Sequence, residues 1–468
     1  MKNKIPIYIA SFFLLFFLFN CTKDDPNLSS PIEELYFSTD TVFFDTVFTD
    51  IGSTTQYLSL RNTSDKEIVI NTISLGASSS SLFRMNVDGI SGKSVKNISL
   101  APKDSLFILV EITINPNDKN TPFVVKDSIV LNIDGYKKNV KLMAWGQNAH
   151  YIDGRYNGHI RTTRWTADKP YLIYNSMQID SLQTLTIEEG TQIYLHKGSY
   201  IIAKGSLQIE GTYENPVVIQ GDRLEQHYKD IPGQWGNIIL ANGSGTHNID
   251  WCVIKNGIIG FQLGALNIET KPILNIHHSI IKNMNYAGIF SLASTVNADN
   301  CLIADCGFYN LALLVGGSYN FTHCTIANYW KYAKRTESAV VVSNNFISNG
   351  QQFVGPLVNA DFANTIIYGD QDDELLISKV SGTDFNFSFK NCLLKVKNTK
   401  TTSSEFQNVI INKDPLFLLK EDKRYLLTKD SPAKDKADVE ISKIYDIDLL
   451  NYSHTSDDKS DIGAYELQ

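Results

Sequence analysis

Two hydrophobic rhythms divide this chain. Between residues 36 and 148 apolar and polar positions alternate, as in Leu106, Ile108, Val110, Ile112 and Ile114, and again in Ile129, Leu131 and Ile133. A period of two predicts strands with one buried and one wet face. Asp134 and Gly135 supply a hairpin turn before Val140, Leu142 and Ala144, while Leu58, Leu60, Ile68 and Ile70 make an earlier strand pair. About seven short strands in roughly 110 residues predict an immunoglobulin-like β-sandwich.

From about Tyr151 the rhythm changes. Short apolar runs broken by glycines follow one another: Leu185 and Ile187, Ile193 and Leu195, Ile201 and Ile202, Leu207 and Ile209, Val217 to Ile219. Then one phrase returns seven times: WCVIKN from Trp251, HSIIKN from His278, NCLIAD from Asn300, HCTIAN from His323, NNFISN from Asn344, NTIIYG from Asn364 and NCLLKV from Asn391. The starts are 27, 22, 23, 21, 20 and 27 residues apart. A β-branched strand repeated at this period predicts stacked coils of a solenoid, none of which can bury its inner face alone. The inner ladder is expected to be Ile254, Ile281, Ile303, Ile326, Ile347, Ile367 and Leu394. Cys252, Cys301, Cys324 and Cys392 share the parity of that ladder, so these thiols are expected to stack inside as packing groups. Asn256, Asn283, Asp305, Asn328, Asn349 and Gly369 follow each rung where the chain must turn, a place suited to left-handed backbone.

The intervening positions face outward in this scheme. One column holds Trp251, His278, Asn300, His323, Asn344, Asn364 and Asn391; another holds Lys255, Lys282, Ala304, Ala327, Ser348, Tyr368 and Lys395. Between them runs an apolar stripe from Val253 to Leu393. Such a stripe is used or covered: either it takes a ligand, or a long loop or the tail lies over it. Rings, amides and amines beside it suit a sugar chain, whose pyranose faces stack on aromatics while hydroxyls meet polar groups. Trp251, His278, Asn300, His323, Lys255 and Lys282 are therefore the candidate ligand-binding residues.

Composition adds compartment and charge. With 43% hydrophobic and 20% charged residues, the 468-residue chain is a folded one, long enough for more than one core. Lys2 and Lys4 precede an uncharged, mostly apolar run from Ile5 to Phe19, the shape of a secretory leader. Losing residues 1–20 leaves 40 basic against 50 acidic residues, a net charge of −10 that disfavours nucleic acid. The sequence Leu18, Phe19, Asn20, Cys21 resembles a bacterial lipobox, which implies lipidation at Cys21 and a membrane anchor there. Thr22, Lys23, Asp24, Asp25 and Pro26 resemble the signal that sends Bacteroidetes-type lipoproteins to the outer face of the outer membrane.

Further resemblances concern fold. The stretch from Phe37 to Ser53, with Leu60, Asn62 and Ile70, resembles the N-terminal sandwiches of such lipoproteins, which serve as spacers or docking modules. The segment from Lys169 to Trp235 resembles their right-handed parallel β-helices (a pectin-lyase-like fold) through Ile187 to Gly190, the Gly205, Leu207, Gly211 spacing, Asn215 to Val217, and Gly221 to Arg223. The closing segment is similar through Asp414 to Phe417, Ser431 to Ala433, and Asp461 to Glu466. Relatives often carry an arginine shortly before that last motif; residues 449–459 here have none. The expected organisation is a leader over 1–20, a lipidated tether over 21–35, a sandwich over 36–148, a β-helix over 149–412 and a cap over 413–468.

No motif fixes a reaction. The leading expectation is a surface lipoprotein, monomeric, whose β-helix binds a polysaccharide or surface protein without catalysis; a purely structural spacer is another. The enzymatic alternative is a lyase that cleaves an acidic polysaccharide by β-elimination, with Lys255, Lys282 and His278 as candidate catalytic residues, because proton abstraction beside a uronate needs a base and a cation. The paired aspartates and Gly-His-Gly motif of polygalacturonases are absent. No cofactor is implied, although Asp370, Asp372, Asp373 and Glu374 are dense enough to be candidate calcium ligands. The segment from Arg223 to Gln234 is expected to project from one coil. Two triplets, Asp40 to Val42 and Asp45 to Val47, resemble O-glycosylation sites.

Overall fold

The computed structural model describes residues 31–117, 120–266, 270–418 and 425–467. The leader and Cys21 lie outside them. The described chain divides into two units: 31–114 with Val124–Trp145, and Asn115–Phe123 with the chain from Gly146 onward.

The first unit is an antiparallel β-sandwich of two five-stranded sheets. One is ordered Leu35–Phe37, Gln56–Asn62, Ser105–Ile112, Phe83–Val87, Ile90–Ser91; the other Thr41–Phe48, Tyr136–Gln147, Phe123–Ile133, Ile68–Leu75, Ser94–Leu100. The alternation in the sequence is the cause. Leu106, Ile108, Val110 and Ile112 all point inward, as do Ile129, Leu131 and Ile133 from the opposing sheet. Asp134 and Gly135 both adopt positive φ, 49° and 90°, the backbone a two-residue hairpin requires. Thr41 and Thr46, the hydroxyls of the two triplets, lie on one strand whose Val42 and Val47 are buried.

The second unit is a parallel β-helix. Each coil gives one strand to each of three parallel sheets, which hold eleven, nine and ten strands. In the first sheet, in-register pairing stacks Ile219, Ile254, Ile281, Ile303, Ile326, Ile367, Leu394 and Ile411. Parallel stacking places like on like, so every rung from Ile219 to Leu394 is dry. The third sheet adds an inner pile of rings: Phe321 on Phe362 at 5.1 Å, Phe362 on Phe389 at 4.8 Å, Phe389 on Phe406 at 5.2 Å. The cysteines of the repeat are buried free thiols, and burial pushes Cys392 up to about 12. Ser279 and Thr365 fill the same slot in other coils and accept hydrogen bonds from the Cys252 and Cys324 amides.

One copy of the phrase leaves the ladder. Ile326 pairs directly with Ile367, whereas Asn345–Ser348 forms an antiparallel hairpin with Gln351–Val354, and Ile347 is 63% exposed. Ile347 is thus no inner rung. The corner expectation also divides: Asn256, Asn283, Asp305 and Asn349 have positive φ as expected, whereas Asn328 and Gly369 end strands without it; positive φ is found as well at Trp251, His278, Asn300, His323, Asn364 and Asn391. The latter residues turn the chain into the first sheet; they are not strand positions. The continuous amide ladder runs on the third sheet, where Asn248, Asn275, Asn297, Asn320 and Asn359 each donate to the amide oxygen one coil back at 2.8–3.0 Å.

Residues 425–467 lie across the outer face of the first sheet. Leu302, Ala304 and Ala327 are buried against Tyr425, Leu449, Ala464 and Tyr465; Ile366 and Leu393 against Leu427, Ala433 and Ile462. The outward stripe is therefore covered by the tail over most of its length.

Candidate functional site

The tail seals the stripe with specific bonds. Asn391 Nδ2 donates to the Lys436 carbonyl, Asn364 Nδ2 to Asp438 and Asn300 Nδ2 to Tyr445, at 3.0–3.3 Å. Asn364 Oδ1 accepts from the Asp438 amide at 2.8 Å, where Asp438 caps the short helix Val439–Ser442. The closing motif is threaded through the sheet surface. Gly463 N donates to Asn364 O, Ala464 N donates to Thr325 Oγ1, and His323 Nδ1 lies 3.2 Å from Gly463 O. Asn300 and His323 are buried beneath it, closed to any ligand. His454 Nδ1 stands 3.0 Å from Glu466 Oε2.

At the other end the tail runs out and a cleft of about 350 Å3 opens. It is lined by Tyr213, Trp251, His278, Ile280 and Lys282 from the helix, and by Leu449, Leu450 and Tyr465 from the tail. Left-handed backbone at both corners throws Trp251 and His278 outward from successive coils, and their rings stack at 4.7 Å and 10°. Tyr213 meets the indole edge-on at 5.5 Å. His278 is fixed by Asp250 Oδ1 at 2.9 Å from Nδ1 and by the Ile447 carbonyl at 3.1 Å from Nε2. Beside this pair, His277 sits in register between Asp250 and Asp299. The Asp299 carboxylate, 2.5 Å from Nδ1, holds its pKa above the ordinary imidazole value against the opposing effect of burial.

Trp251, His278 and Lys282 are thus brought together. Lys255 is the in-register neighbour of Lys282 but does not line the cleft, and burial lowers its amine pKa despite the nearby Asp230. The acidic cluster has cations of its own. Arg335 pairs with Asp370 at 2.6 Å and with buried Glu374, Lys397 pairs with Asp372 at 2.8 Å, and Asp373 accepts from the Asn398 amide. Asp370, Asp372 and Glu374 thus face cations, and Asp373 a backbone amide. Among the described residues no group of three or more His, Cys, Asp or Glu side chains is placed to hold a metal ion. In the segment 223–234, Arg223 binds Glu225 and lies 3.9 Å over the Tyr228 ring, while Trp235 is fully buried. Tyr213, Leu449, Leu450 and Tyr465 are the cleft residues that sequence alone did not single out; the paired leucines ahead of the closing motif were the available signal.

No known protein-family profile matches the chain, and no curated protein matches it. Among solved structures, the Agl-KA catalytic domain aligns over 77% of this chain and 76% of its own at 10% identity, with a TM-score of 0.29. A PapD-like domain of human CEP192 aligns over 26% of this chain and 91% of its own at 12% identity, TM-score 0.18. A family 123 glycoside hydrolase from Clostridium perfringens aligns over 24% of this chain and 26% of its own at 9% identity, TM-score 0.18. Likeness at this level decides neither fold nor activity. Among the described residues no helix is long and apolar enough to cross a membrane.

Proposed function

We propose that this protein is a lipid-anchored surface protein of the Bacteroidetes-type right-handed β-helix family, and that it binds glycan without cutting it. The binding place is the cleft that the tail leaves open. The stacked Trp251 and His278 rings carry this reading, since they place aromatic surface in the cleft with Tyr213, Lys282 and Asp250 beside it. Trp251→Ala with His278→Ala is expected to abolish retention on a glycan array with an unchanged β-rich circular dichroism spectrum. Unchanged retention rejects the cleft, and absence of any retention by the parent protein favours a structural spacer. For the anchor, Cys21→Ser is expected to move the protein from the detergent phase to the aqueous phase on phase partition.

The lowered amine of Lys255 beside Lys282 favours a second reading, β-elimination of an acidic polysaccharide. Uronate polymers with calcium would then show rising absorbance near ~230 nm from the unsaturated product. No rise across a broad panel rejects this reading.

A further inference from the structure

The sandwich has a concave, ring-flanked surface of its own. On the outer face of its first sheet Tyr57 and Leu109 are direct cross-strand partners, and Phe107 stands opposite Ser59. Tyr57, Phe107 and Leu109 are 70%, 55% and 42% exposed, and the two rings meet edge to face at 6.2 Å. Next to them the surface sinks into a cavity of about 550 Å3 whose walls include Thr55, Arg84, Asn86, Ser91, Leu109 and Glu111. The polar groups there are fixed in advance. Thr55 Oγ1 donates to Glu111 Oε1 at 2.6 Å, Arg84 spans Thr113 at 2.9 Å and Glu111 at 3.4 Å, and Asn86 Nδ2 donates to Ser91 Oγ at 2.9 Å.

We propose that this face is a binding site for a neutral glycan. A pyranose has an apolar face and a rim of hydroxyls, each both donor and acceptor. Tyr57, Phe107 and Leu109 suit the face; the Arg84 donors and the Glu111 acceptor, side by side, suit the rim. The cavity volume falls in the range of small-ligand sites. Charge selects against an anionic sugar, because Arg84 already faces the Glu111 carboxylate, and the Lys93 amine is held by the Ser79 and Ser81 carbonyls. An added peptide strand has little to pair with, since the neighbouring edge strand Ile90–Ser91 is two residues long. None of this rests on the β-helix cleft.

Titration calorimetry of the full chain with cellohexaose, xylohexaose, mannohexaose and hexagalacturonate tests the proposal. At least one neutral hexaose is expected to bind, and Tyr57→Ser with Phe107→Ser to weaken that binding by about tenfold or more. All arms are run in a Trp251→Ala background, which disables the β-helix cleft, and the binding that depends on Tyr57 and Phe107 is expected to remain there. Should the double variant lose its circular dichroism, Arg84→Ala replaces it, with the same weakening expected. Binding of hexagalacturonate alone, no binding of any neutral hexaose at millimolar concentration, or an affinity indifferent to Tyr57, Phe107 and Arg84 overturns the proposal. So does an affinity lost with Trp251→Ala, which assigns the sugar to the β-helix.

Discussion

His323 beneath the tail and His454 within it are buried imidazoles that couple the tail to pH. His323 Nδ1 reaches the Gly463 carbonyl, so its Nε2 is the acceptor for Asn364 Nδ2 at 2.9 Å, and a second proton there would break that bond. His454 stacks on His323 at 4.0 Å and lies between Glu466 Oε2 and Asn300 Oδ1. Burial keeps both rings neutral, lowering His454 to about 3 and His323 well below 6.5, while burial raises Glu466 to about 9. Lowered imidazoles contribute stability that is full above 6.5 and is lost as pH falls toward 3; raised Glu466 contributes stability that is full below 4.5 and is lost as pH rises toward 9. The thermal midpoint of the tail is therefore expected to fall on both sides of mildly acid pH. His454→Gln is expected to flatten the acid limb and Glu466→Gln, a mimic of the neutral acid, the alkaline limb; limbs parallel to the parent protein would contradict this. Arg335 makes a second prediction at this scale. Its side chain and that of Glu374 are both fully buried, so Arg335→Met leaves a carboxylate without its cation and is expected to cost about 3–5 kcal/mol in a denaturant titration. Sequence showed the acidic cluster but not its neutralisation, because Arg335 lies 35 residues before Asp370 and Lys397 25 residues after Asp372.

At the level of the element, the repeated phrase predicts a strand and its inner parity but not its partner. Six of seven copies stack in the first sheet, while the copy at Asn344 has the same pattern and forms a hairpin. A local difference distinguishes it. It lies in the backbone and not in the residue types: Asn349 and Gly350 both have positive φ, 49° and 75°, as a two-residue hairpin requires, whereas Asn256 and Gly257 at the same place in the first copy lead into the next coil. Solvent therefore takes Ile347 and the core takes Ile281. Ile281→Ala is expected to destabilise by about 2–5 kcal/mol through lost burial and a cavity, and Ile347→Ala to change stability by less than about 0.5 kcal/mol. Equal losses, measured by denaturant titration, would mean that the hairpin copy is a rung after all. The sandwich was more fully legible, since alternation over seven or eight residues fixes which face is buried without long-range information. Trp251 and His278 were found for their chemistry, yet their left-handed corners were not foreseen: Trp carries no such signal, and the Asn300, Asn364 and Asn391 that fill the same slot in other copies were assigned to the strand.

At the scale of the molecule, the tail decides what the stripe can do. Leu302, Thr325, Ile366 and Leu393 would form an apolar band along the outer face of the first sheet, and the chain closes it with contacts such as His278 to Ile447, 169 residues apart. No repeat pattern encodes contacts at that separation, which is why the stripe could be foreseen, with the tail as one candidate cover, but the choice between cover and ligand could not. The cleft exists only where that cover ends, so its walls come from both helix and tail. Gly463 is the tightest point of the crossing: its φ is 114°, and a Cβ would stand 2.8 Å from Thr325 Oγ1 and 3.0 Å from Ile366 Cδ1. Gly463→Val meets both obstacles at once, strained backbone and no room. The expected result is a tail lifted from an otherwise intact helix, because the Ile ladder and phenylalanine pile make no use of it. Limited proteolysis should then cut within 425–467, a dye sensitive to exposed apolar surface should brighten, and the β-rich circular dichroism should persist. Collapse of the whole spectrum would show instead that the tail is integral to the coils beneath, and that the stripe cannot exist uncovered.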